Sequence, residues 1–181
     1  GKEEVSRDAA LESFPVLIRT NGGLLEVATV HYRKTYWLKN AIVVAGMKLP
    51  FCAEEASITI NPHVTYRVRL AERWKTDYHN KTLYVKVPAL EPALPVAFET
   101  SHIKDQLTGC WFMMSLDTRN DLLRSLSATL AREAKAPFLI DFAREHGARD
   151  TAREFVQTWL LAQKDYDLPA NTPVEVEFAG E

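Results

Sequence analysis

The sequence predicts an α+β domain: a mostly antiparallel sheet from the N-terminal half packs against two C-terminal helices, and a final strand returns to the sheet. Three observations carry this. Apolar residues alternate with period two through residues 57–70 and again through 82–87. The period becomes helical after Asp117-Thr118, and strict alternation returns at residues 173–178 (PVEVEF). Strands first, helices next and one strand last is an α+β order. No linker-like stretch, repeat or low-complexity tract interrupts it, so residues 1–181 read as a single domain.

Taken in order, residues 2–13 (KEEVSRDAALES) are polar with weak helical periodicity and read as a short helix or tether. Residues 15–20 (PVLIRT) form a first strand, closed by Asn21-Gly22-Gly23, which supplies the positive φ angles of a tight hairpin turn. Residues 24–37, rich in Val, Thr, Tyr and Leu, form its partner. In the next strand Ile58, Ile60, Val64, Tyr66, Val68 and Leu70 share one face, and Pro62 marks a bulge or an edge. A second hairpin joins residues 73–78 to Thr82–Val87 through His79-Asn80-Lys81. Three prolines make residues 88–95 (PALEPALP) an extended connection, after which 96–100 is a short strand and 107–114 is too apolar to be exposed.

Thr118, three residues before Asp121, gives an N-terminal capping signal for a helix carrying Leu122, Leu123, Leu126, Leu130 and Ala134 on one stripe. Pro137 interrupts it, and a second helical stretch begins near Phe138. There Leu139, Phe142, Ala143 and His146 centre on one direction. Ala152, Phe155, Val156, Trp159 and Leu160 centre on another, roughly 140° away at about 100° per residue. Either Gly147 breaks the helix, or one long helix with a soft spot at Gly147 presents both faces; the second is favoured, since Gly costs only about 1 kcal/mol in mid-helix.

Composition narrows the function classes. The chain has 181 residues, 46% of them hydrophobic and 25% charged, which suits a domain with a core. A net charge of −2 gives no electrostatic footprint for nucleic acid. The helical arginines alternate with Asp and Glu, as on a solvated face. The longest apolar run, residues 41–47, is far short of the roughly 18 residues of a spanning helix. The chain opens on Gly1-Lys2 without an initiating Met, which reads as a processed or trimmed start.

Candidate chemistry is sparse. The five histidines, His31, His63, His79, His102 and His146, show no metal-ligand spacing, although His31 and His63 lie on strands and could meet across the sheet. Cys52 and Cys110 lack CxxC spacing and can form one bridge at most. Cys110 sits in an apolar setting (GCWFMM), and Cys52 precedes Glu54-Glu55, an anionic setting that disfavours the thiolate. No phosphate loop or nucleophile elbow occurs, so no catalytic residue, cofactor or metal is assigned. Trp37, Trp74 and Tyr78 cluster near turns, where a core needs them less, and are the candidate surface for a partner or ligand.

The segments TINPHVTYRVRL and KTLYVKVPALEP, then SLSATLAREA, ARDTAREFVQTWL and PVEVEF, follow one another in an order that resembles the bacterial domain of unknown function numbered 4230. The resemblance covers the chain from about residue 24 onward and rests on hydrophobic patterning. It implies a domain of the cell envelope or periplasm, tethered by an N-terminal membrane helix, and it brings no catalytic residues. The leading expectation is therefore a non-enzymatic, envelope-associated binding or scaffolding domain, its partner or ligand and oligomeric state unassigned. The alternatives are a small hydrolase-like enzyme using Cys52 or a histidine pair, and a cytosolic regulatory domain.

Overall fold

A computed structural model describes residues 2–5, 10–14, 19–21, 23–44, 47–70, 74–108, 116–161 and 168–181. It is α+β, as the sequence predicts. Among the described residues, nine strands precede the helices and one follows: β1 (Lys2–Val5), β2 (Ala10–Phe14), β3 (Arg19–Asn21), β4 (Leu24–Val44), β5 (Met47–Arg69), β6 (Lys75–His79), β7 (Thr82–Val87), β8 (Glu91–Pro92), β9 (Ala97–Thr108) and, after the helices, β10 (Val174–Phe178). The helices are α1 (Leu116–Ala134), α2 (Pro137–Ala143) and α3 (Arg149–Phe155), the last two joined by a π-type turn at Arg144–Ala148.

Cα packing divides the chain into two compact units, to both of which β4 and β5 contribute. The first comprises Gly1–Glu12, His31–His63 and Pro95–Glu133. In it β1 pairs antiparallel with β4, Val5 opposite Tyr36, and β9 pairs antiparallel with β5 from Ala53↔Thr108 to His63↔Ala97. The β5–β9 register shifts between Thr59 and Ile60, three residues before Pro62. Alternation places Tyr32, Tyr36, Ile58 and Ile60 in the core, and Leu126 and Leu130, one helical turn apart, bury the stripe of α1.

The second unit comprises Ser13–Val30, Val64–Leu94 and Ala134–Glu181. β3 and β4 form the first hairpin, Asn21 opposite Leu24, with Gly23 at φ +78° where a side chain would be strained. β6 and β7 form the second, turning through Asn80 (φ 51°) and Lys81 (φ 60°), two successive left-handed residues as a type I′ turn needs. β10 then pairs parallel with β7, so the three-stranded order is β10-β7-β6. A parallel neighbour requires a long crossover, which the helices supply.

The soft spot at Gly147 is a kink. His146 (φ −117°, ψ 45°) and Gly147 (φ 141°, ψ −44°) leave helical geometry, and the chain resumes at Arg149. Beyond it Ala148, Ala152, Phe155 and Val156 are buried; before it Leu139 and Ala143 are buried, while His146 stacks on Phe142 (4.1 Å) outside the core. One sequence expectation gives way. Residues 2–13 contain two short strands in place of a helix or tether, because pairing with β4 supplies backbone hydrogen bonds that weak helical periodicity does not outweigh. The apolar stretch at 109–114 lies outside the described residues.

Candidate functional site

The three-stranded sheet has two edges, and the chain treats them differently. Leu83 N donates to Pro173 O and Ala179 N donates to Val87 O, so the odd residues of β7 bond to β10. Its even residues therefore bond to β6, where Lys75, Asp77 and His79 are their partners. Two consequences follow for the outward edges. On β10, Val174, Val176 and Phe178 point their backbone groups away from β7. On β6, Thr76 and Tyr78 do so.

The β10 edge is closed by side chains. Arg153 Nε donates to Val174 O (3.1 Å), Arg149 Nη1 donates to Val176 O (2.5 Å), and Glu181 Oε2 accepts from Phe178 N (3.0 Å). Arg149 also pairs with Glu181 and, at 2.8 Å, with Glu145. The bond to Glu181 leads the causes that hold the guanidinium firmly charged, and the same bond holds the Glu181 carboxyl below its ordinary range. Side-chain caps of this kind prevent a bare edge from recruiting another strand.

β6 is the other edge. All five of its residues are exposed, and among the described residues β7 is its one strand partner. Trp74 stands at its start, with Nε1 donating to Arg69 O (3.1 Å) and its ring 5.4 Å from that of Phe155. Tyr78, 48% exposed, sits opposite buried Leu83 and so overhangs the core side of the sheet. On the opposite face Lys75 lies beside Lys86, and Tyr84 lies beside Asp77 and Glu175, around an open depression of about 390 Å³. His79 stacks on Tyr84 at 4.3 Å, its Nδ1 3.2 Å from Asp77 Oδ2.

Of the sequence-predicted surface residues, Trp74 thus precedes β6 and Tyr78 lies on it, both in the second unit. Trp37, 41% exposed, belongs to β4 in the first. Cys52 lies on β5 and His102 on β9; Cys110 lies outside the described residues.

Two further clusters lie in the first unit. Glu133 of α1 accepts from the Tyr32 and Tyr36 hydroxyls at Oε2 (2.8 and 2.6 Å) and from Lys34 Nζ at Oε1 (2.7 Å). Burial, then the neighbouring Tyr32 and Glu133, push the Tyr36 phenol far above its usual range, so it remains a donor. A carboxylate this fully engaged holds α1 to β4 and is not available as a general base. The second cluster is a histidine pair. The His31 and His63 rings meet edge to face, centroids 4.2 Å apart, and buried His63 Nε2 has no hydrogen-bond partner. Among the described residues no group of three or more metal-ligating side chains converges. No helix among them is long and apolar enough to cross a membrane.

No family model, curated protein or solved structure matches the chain.

Proposed function

We propose that the chain is a non-enzymatic binding domain of the cell envelope that takes an extended segment of a partner polypeptide as an added strand along β6. The contrast between the two sheet edges supports this reading: Arg149, Arg153 and Glu181 close β10, while every residue of β6 is exposed. Strand addition draws affinity from main-chain hydrogen bonds and specificity from alternate side-chain rows. Here one row offers Tyr78, and the other offers Lys75 beside Lys86, followed by Asp77, which favours an acidic residue next to the two lysines and not next to Asp77. The envelope location rests on the resemblance to the domain of unknown function numbered 4230, which implies it.

The test is a photo-crosslinking residue placed at position 78 in living cells, with position 154 on α3 as control. The reading predicts one adduct, enriched in the envelope fraction, whose crosslinked peptide carries Asp or Glu. No adduct above the position-154 level would sink it, and an adduct of twice the chain's mass would replace the partner with a second copy.

The nearness of His31 and His63 favours a second reading, the hydrolase using a histidine pair. It requires esterase turnover that His63→Ala abolishes without loss of the fold.

A further inference from the structure

We infer that His31 and His63 form a two-imidazole site for a borderline transition-metal dication such as Zn2+, Ni2+ or Cu2+, with solvent completing the coordination sphere. This inference is independent of the β6 reading, since it concerns residues of the other unit. Three observations carry it. The two rings meet edge to face from neighbouring strands β4 and β5, a rigid mounting that orders both ligands before the metal arrives. Metal–nitrogen bonds of about 2.0–2.1 Å set imidazole centroids roughly 4.5 Å apart at a 90° cis angle and about 5.2 Å apart at the tetrahedral angle, so the 4.2 Å found here suits the tetragonal or octahedral arrangement of Cu2+ or Ni2+ best. His63 Nε2 is buried without a hydrogen-bond partner, and such an atom calls for an occupant. Imidazole is the ligand that Zn, Cu and Ni share.

His79 and His146 each stack on an aromatic ring instead of a second histidine. His146 Nδ1 is engaged with Phe142 O at 2.9 Å, and His79 is stacked on Tyr84 at the solvent surface.

The probe is Cu2+ alone, added in substoichiometric amounts to the tag-free chain while imidazole resonances are followed by NMR. Signals of His31 and His63 should broaden first and together, leaving His79 and His146 sharp. By calorimetry with Zn2+ or Ni2+, His63→Ala should weaken binding by more than the roughly tenfold that loss of an outer-shell partner costs, with His79→Ala unchanged. The NMR arm uses unmutated protein, so a folding defect in a variant does not obscure the answer. Uniform broadening of all histidines, or unchanged affinity in folded His63→Ala, would overturn the site.

Discussion

Tyr36 donates its hydroxyl hydrogen bond to Oε2 of Glu133 at 2.6 Å, joining β4 to the last turn of α1 across 97 residues of sequence. Tyr32 shares the same oxygen and Lys34 takes the other, so three consecutive even positions of one strand converge on a single carboxylate. Glu133 and Lys34 side chains are only 17% and 15% exposed, which sets this pair apart from surface ion pairs of little worth.

Removing the carboxylate should therefore be costly. Glu133→Ala leaves a largely buried ammonium and two buried phenols without their acceptor, and is expected to destabilise by about 3 kcal/mol. Tyr36→Phe removes one donor to a charged acceptor and should cost about 1.5–3 kcal/mol. Denaturant unfolding of both variants checks the order.

The kink gives a second expectation. Gly147 at φ 141° is in a region that L side chains rarely adopt, so Gly147→Ala should destabilise by about 1–3 kcal/mol. Alanine would stabilise an ordinary helix interior. The sign of the change in melting temperature therefore separates a kink from a continuous helix.

The arginine cap can be opened. Arg149→Ala with Arg153→Ala would uncover the carbonyls of Val174 and Val176 on an edge strand. The double variant should associate with rising concentration more strongly than the parent, seen by light scattering.

The cap also has a pH signature. Glu181 titrates below its ordinary range because Arg149 donates to its charged form, so the unfolded chain binds its proton more readily. The stabilisation is complete above the unfolded carboxylate value, about 4.3, and is lost as pH falls through the lower folded value. The pair is partly exposed, so Glu181→Gln should cost no more than about 1 kcal/mol at pH 7, with the difference from the parent vanishing in acid. Thermal melts from pH 7 to pH 3 follow it.

Much of the fold is legible in the sequence because strands and helices advertise themselves by period. Ile58, Ile60, Val64, Tyr66 and Val68 are buried where alternation puts them, and Val174, Val176 and Phe178 likewise. Beyond Trp37, β4 continues to Val44 through residues with no alternation, and that extension comes from pairing, which local pattern does not record. Glu133 reads in sequence as one more charge in a mixed helix, because its three partners are about 100 residues away. Arg149 and Arg153 read as a solvated stripe. They do make such pairs, with Glu145 and Asp150, but their second bonds, to β10 carbonyls, depend on tertiary placement. The meeting of His31 and His63 is readable, since both stand on strands; Trp74 is harder, since its ring contact with Phe155 crosses the fold.

The β6 account rests on main-chain pairing along one edge, and Thr76→Pro examines that directly. Thr76 points its N–H away from β7, so proline there removes no β6–β7 bond, and Thr76→Ala beside it accounts for the further contact that Thr76 makes. With the crosslinker held at position 78, the account predicts that the adduct falls to the position-154 background in Thr76→Pro and persists in Thr76→Ala, while the two variants melt at similar temperatures. An adduct of undiminished intensity in the folded Thr76→Pro protein would contradict strand addition along β6.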